Sequence, residues 1–177
     1  HAAVRLTFRS DRPHEVGLGT YAHPDSAELN HCIVTATMGN YARLRQLHLA
    51  DRVVTPSDLW PEYQGNAFTP HARFPLADLQ RTSDGAAFAI ATPSETHPQQ
   101  ADYAWGTRQH WRYQGQVARQ RWQVADPDPK LGALVNGRRV YWGGRSPIPG
   151  GVSFENFEMV APFKQGGEFW FSVEPTE

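Results

Sequence analysis

Apolar and polar residues alternate in short runs along almost the whole chain, and this period of two is what most limits the fold. Residues Val4 to Arg9 are the plainest case. Val4, Leu6 and Phe8 share one side, and Arg5, Thr7 and Arg9 the other, as on a half-buried strand. Similar runs recur at regular spacing with turn-forming residues between them. Gly39-Asn40 stands between "CIVTATM" and "YARLRQLHL", where glycine's tolerance of positive φ suits a tight hairpin. Ser83-Asp84-Gly85, between "LADLQRT" and "AAFAIAT", predicts a three-residue hairpin loop. Asn136-Gly137, between "LGALV" and "RRVYW", is the strongest two-residue hairpin signal in the chain. "RQHWRY" and "QVARQRWQV" make a further expected pair, and "FENFEMV" and "EFWFSVE" flank a loop at Lys164–Gly167.

Helical periodicity is missing. "TPSDLWPEY" offers one turn, expected to be capped by Ser57 and stopped by Pro61. Two stretches, 55–75 and 93–107, are rich in Pro, Gly, Asn and Gln and read as long loops, a common place for function in compact β domains. The expected fold is therefore all-β: an antiparallel β-sandwich, jelly-roll-like, with two long loops and little helix. With no repeat and no linker, residues 1–177 are expected to form a single sandwich domain.

Composition narrows the function classes. A hydrophobic content of 40% supports a packed core and argues against disorder. A net charge of −1 supplies no whole-molecule field toward nucleic acid or an acidic membrane surface, and no apolar run approaches the ~20 residues of a helical span. Neither a nucleic-acid nor a membrane partner is expected, and nothing in the chain sets its oligomeric state. Cys32 is the sole cysteine, so no intrachain disulfide forms, and its setting in "HCIVTATM" is that of a small buried hydrophobe. No secretory leader is read. A secreted or periplasmic location is expected if His1 is a mature N-terminus, and a cytoplasmic one is open otherwise. Arginine outnumbers lysine 15 to 2, which suits bidentate carboxylate recognition and equally reflects GC-rich coding in a bacterial genome.

The densest chemistry lies in "FENFEMV". Alternation puts Val152, Phe154, Asn156, Glu158 and Val160 on one side, and Ser153, Glu155, Phe157 and Met159 on the other. Each side mixes apolar groups with one carboxylate, so either both are covered or one lines a cleft. Two carboxylates are what glycoside cleavage uses, one as acid and one as nucleophile or base. Glu155 and Glu158 face opposite ways on a flat strand. They would need a bulge at Asn156-Phe157, or a counterpart such as Glu168, Asp102 or Glu95. A glutamate–arginine pair locking two strands, with Arg138, Arg139 or Arg145, is the structural alternative.

Six tryptophans add flat, amphipathic rings suited to sugar faces. Trp60 and Trp105, in the two long loops, and Trp142 are candidate ligand contacts. In a lyase version, His71 or His110 with Tyr113 abstracts the proton α to a uronate carboxyl, while Arg112 or Arg145 neutralises that carboxylate. "GGRSPIPGG" reads as a rigid loop and not as a phosphate cradle. H-x-H and H-E-x-x-H are absent, so no metal or other cofactor is expected.

One resemblance qualifies that reading. A chain beginning with His1 on a β-sandwich resembles the lytic polysaccharide monooxygenases. The resemblance rests on that residue and the fold class alone, and the disulfides common in that family cannot form here. It implies copper held by the amine and imidazole of His1 and by a second histidine, His71 or His110, with Tyr113 near the axial position. The expected function is thus a carbohydrate-active protein, a hydrolase or lyase acting on a poly- or oligosaccharide through a Trp/Arg-lined cleft. The alternatives are a non-catalytic carbohydrate- or protein-binding module and, third, a copper-dependent polysaccharide oxidase.

Overall fold

The computed structural model describes residues 1–37, 44–62, 71–93, 118–136, 154 and 156–175. Among these, twelve strands form two antiparallel sheets. The larger has eight: β1 (Ala2–Arg9), β2 (Arg12–Ala22), β4 (Leu44–His48), β5 (Val53–Val54), β7 (Gln80–Arg81), β8 (Ala87–Pro93), β9 (Ala118–Val124) and β12 (Gly167–Pro175). Their order is β1-β2-β12-β9-β8-β4-β5, with β7 also paired to β8. The smaller sheet has the order β3-β11-β10-β6, from β3 (His31–Thr37), β6 (Ala72–Pro75), β10 (Gly132–Val135) and β11 (Asn156–Pro162). The expected all-β antiparallel sandwich is what forms.

Alternation decides what lies between the sheets. The larger sheet turns Leu47, Ala87, Ala89, Ala91, Trp122, Val124 and Phe169 inward, and the smaller turns Val34, Phe74, Ala133, Val135, Phe157, Met159 and Ala161 toward them. Three alanines on β8 leave a trough in the larger sheet. Trp122, directly opposite Ala89 in register, fills it, with its ring 4.6 Å from that of Phe171 on the other side. The same inner row runs on through Val16 to Phe8, which is 75% exposed, as Val4 and Leu6 beside it are also exposed. The eight-stranded sheet is wider than the four-stranded one, and the β1 end of its inner face lies outside the core.

Turn chemistry accounts for some connections and misleads on others. The hairpin at Ser83-Asp84-Gly85 forms as expected, joining β7 to β8. Gly85 takes φ 91°, and the Thr82 amide donates to the Ala86 carbonyl. Gly39-Asn40 lies outside the described residues, and the strands before and after it fall in different sheets: β3 pairs with β11 in one, and β4 with β8 and β5 in the other. Two runs of strand-forming residues around a turn signal are equally compatible with a crossing between sheets. Both edges of β10 are taken, by β11 and β6, where Asn136-Gly137 suggests a hairpin partner. Asn136 does adopt the left-handed conformation, at φ 55°, and its amide donates to the Asn156 carbonyl.

The α-helical turn α1 (Pro56–Leu59) is capped by Thr55 and not by Ser57. The Thr55 hydroxyl accepts from the Asp58 amide, and the Asp58 carboxylate accepts from the Thr55 amide. A proline at the first helical position needs its N-cap immediately before it, which selects Thr55.

Because Trp122 fills the space left by the alanine triplet, Trp122→Ala is expected to lower the free energy of unfolding by about 3–5 kcal/mol. Ala89→Leu, which overfills the same trough, is expected to cost about 1–3 kcal/mol. Denaturant titration of each variant measures both; unchanged midpoints would contradict this packing.

Candidate functional site

The face of the larger sheet turned away from the core carries most of the chemistry among the described residues. Register aligns its side chains in rows. One row runs Thr7, Gly17, Trp170, Gln123, Phe88, Gln80 across β1, β2, β12, β9, β8 and β7. The next runs Glu15, Ser172, Arg121, Ile90, His48 across β2, β12, β9, β8 and β4. Glu174 and Arg119 follow as a third pair.

Two glycines of β2 give the aromatic rings their seats. A Cβ on Gly17 would stand 2.9 Å from Cη2 of Trp170, and a Cβ on Gly19 would stand 3.2 Å from Cε2 of Tyr21. Both rings therefore lie against bare backbone, an approach that a side chain at either position would block. Guanidinium groups sit over the rings on this face. Arg5 is 4.8 Å from the Tyr21 centroid, Arg9 is 5.9 Å from Trp170, and Arg121 is 4.4 Å from Phe88. Arg121 is further held by donating from Nη2 to Oε1 of Gln123 at 2.6 Å.

The charged groups beside them are locally ordered. Glu174 accepts from Arg119 at 2.8 Å and from the Ser172 hydroxyl at 2.8 Å. Burial pushes its carboxyl up. Hydrogen bonds from Ser172 and Arg119, with the charges of Arg119 and Arg121, outweigh this, so the group stays below its ordinary value and ionised. Thr92 donates its one proton to Oε1 of Gln46 at 3.2 Å, and Nε2 of His48 lies 2.7 Å from the same hydroxyl oxygen. Burial, and then the charge of Arg119, press the His48 pKa below its ordinary value, so the ring is neutral at pH 7.

The residues singled out from the sequence are distributed differently. Glu155, His110, Tyr113, Trp105, Trp142, Arg112 and Arg145 lie outside the described residues. Glu158 is on β11, between Thr35 and Leu134 in register, on the outward face of the smaller sheet and 3% exposed. Asn156, Phe157, Glu158 and Met159 are all buried, so both faces of that strand are covered there. Trp60 ends α1, half-buried, with its ring edge-on to Phe154 at 6.2 Å. His71 is exposed just before β6.

His1 has an 88% exposed side chain, with Nε2 3.8 Å from Asp25, and no group of three potential metal-ligating side chains occurs among the described residues. Glu168, a suggested counterpart carboxylate, borders a hollow of about 400 Å³ that Asp126, Lys164 and Cys32 also line. There the Lys164 ammonium pairs with Asp126 and holds its carboxyl below the usual range. Cys32, expected from its sequence setting to be buried, is half-buried at the margin of the core, and burial raises its thiol.

Sequence reasoning passed over Trp170, Arg119, Arg121 and His48. The signal lay in "ARQRWQV", where Arg119, Arg121 and Gln123 fall on one side of the strand and Trp122 and Val124 on the other. No family model, no curated protein and no solved structure matches the chain.

The depressed His48 pKa has a definite sign. The unfolded chain binds the proton first as pH falls. His48 therefore contributes stability that is complete above its unfolded pKa of about 6.5 and is lost as pH falls through the lower folded value. An NMR titration is expected to place the His48 midpoint below the ordinary histidine value of about 6.5, and His48→Gln is expected to flatten the unfolding free energy just below that pH. A midpoint at or above about 6.5 would contradict the neutral, hydrogen-bonded ring.

Proposed function

We propose that this chain recognises carbohydrate on the outer face of its eight-stranded sheet, with acidic poly- or oligosaccharides as the ligand class. The observation that carries this reading is the set of aromatic rings with guanidinium groups over them on one sheet face: Tyr21 with Arg5, Trp170 with Arg9, Phe88 with Arg121. A sugar ring that displaces the guanidinium from above an aromatic ring stacks its C–H face there. Arg9 is paired with Asp11, whereas Arg5 and Arg121 have no carboxylate partner among the described residues and are the groups to take a uronate carboxylate or a sulfate. The amides of Gln46, Gln80 and Gln123 on the same face supply donors and acceptors for hydroxyl groups. Because these groups stand on strands and several are hydrogen-bonded in place, little ordering is lost on binding.

The test is a panel of uronate-containing, sulfated and neutral polysaccharides, with affinity measured by calorimetry. Acidic glycans are expected to bind more tightly than neutral ones, and binding should weaken as salt rises. Trp170→Ala and Arg121→Ala are each expected to weaken binding about tenfold or more. Absence of binding across the panel, or binding that both variants leave intact, would overturn the assignment.

A second reading, elimination at a uronate, is favoured by His48. Its imidazole is neutral at pH 7, lies 2.7 Å from the Thr92 hydroxyl, and feels the positive charge of Arg119. In that chemistry, the neutral imidazole takes the proton α to the carboxyl group. The electron pair forms the ring double bond, and the glycosidic oxygen leaves and is protonated. An arginine neutralises the carboxylate while charge develops there. The same panel decides it by the ultraviolet absorbance of the unsaturated product, which His48→Gln is expected to abolish. Tight binding with no unsaturated product from any acidic glycan makes the protein a binding module and ends this reading.

A further inference from the structure

On the other side of the sandwich, a hollow of about 470 Å³ opens at the end of the smaller sheet where β3 begins and β11 stops. This is the size of a small-ligand site. His31 and Arg73 line it from the outward faces of β3 and β6, and Lys130 from the turn before β10. Pro75, Pro129 and Pro162 form rigid apolar walls.

Three features set this hollow apart. First, its two cations are uncompensated. Arg73 and Lys130 have no ion-pair partner among the described residues, as is also true of Arg5, Arg81 and Arg121, but here the two border one hollow together with the His31 imidazole. Second, Arg73 is held over the sheet. Its Nε is 3.1 Å from where a Cβ on Gly132 would stand, so the guanidinium lies across a residue without a side chain. Third, the nearby acids are turned to other tasks. The Asp128 carboxylate accepts from the Lys130 amide and closes the turn, and buried Glu158 is separated from Arg73 in register by Leu134. Neither carboxylate lines the hollow.

We infer that this hollow is a binding site for a compact organic anion, an apolar body carrying a carboxylate, sulfate or phosphate. The oxyanion sits among Arg73, Lys130 and His31, and the apolar body rests on the prolines. Arg73 supplies a planar fork and Lys130 a point charge, which together favour a tri-oxygen or carboxylate head over a neutral polar group. The proline walls favour a ring over a bare ion. The site is independent of the carbohydrate reading, because it lies on the opposite sheet.

Phenyl sulfate, phenyl phosphate and benzoate serve as probes, with inorganic sulfate, inorganic phosphate and phenol as controls. Binding is followed by NMR shifts of His31, Val160 and Leu131. The aromatic anions are expected to bind and to weaken with added salt, the inorganic ions to bind more weakly, and phenol not to bind. The Arg73→Ala, Lys130→Ala double variant is expected to lose about tenfold or more in affinity with its melting temperature unchanged, since both side chains are exposed. Arg73→Gln, which keeps the length without the charge, repeats the test if the double variant is poorly folded. Absence of binding by every aromatic anion, equal binding by phenol, no advantage over inorganic ions, or affinity unchanged in the variants would each overturn the inference.

Discussion

The alternation of side chains along β9 ties the core of this protein to its surface chemistry. Trp122 and Val124 point into the sandwich, where the indole occupies the trough left by Ala87, Ala89 and Ala91. Arg119, Arg121 and Gln123 then have to point out. A slip of one residue in the pairing of β9 would drive two guanidinium groups into the core and leave the indole in water. The packing of one buried ring therefore fixes the placement of the arginines on the opposite face, and β12 follows. Phe169 and Phe171 go inward, while Trp170, Ser172 and Glu174 go outward.

Glycine acts on that outer face as alanine does inside. Gly17 and Gly19 lower the sheet surface on β2, so that Trp170 and Tyr21 lie against backbone. A ring in this posture presents its other face, and here an arginine stands over it. Such a stack orders both groups before any ligand arrives. The Glu174–Arg119–Ser172 cluster and the Gln46–Thr92–His48 chain do the same by hydrogen bonds. The face as a whole is polar, aromatic and locally preorganised, which distinguishes it from an ordinary solvated sheet surface.

Much of this was readable in advance, and the misses have physical causes. The hairpin at Ser83-Asp84-Gly85 was legible because its determinants are local: a residue at φ 91° and a hydrogen bond between Thr82 and Ala86. The relation of β3 to β4 was not legible, since a turn signal fixes the local bend and leaves the sheet of each arm open. Thr55 was overlooked as the cap because Ser57 is chemically similar, and only the position of Pro56 discriminates between them. For the candidate site, sequence reasoning weighted loop tryptophans and the FENFE carboxylates. Trp170, His48 and the arginines of β9 are unremarkable within their own segments and acquire meaning only as neighbours across six strands.

Period-two patterning, turn residues at regular intervals and sufficient apolar content determine, without any structure, that this chain makes antiparallel sheets packed face to face. Each of those properties is set by residues close together in the sequence. Which strands share a sheet, which side chains meet in a row, and that Trp170 rests on Gly17 with Arg9 above it are decided only in the folded molecule. Those neighbours are far apart along the chain, and they come together through register and packing that local propensity does not encode.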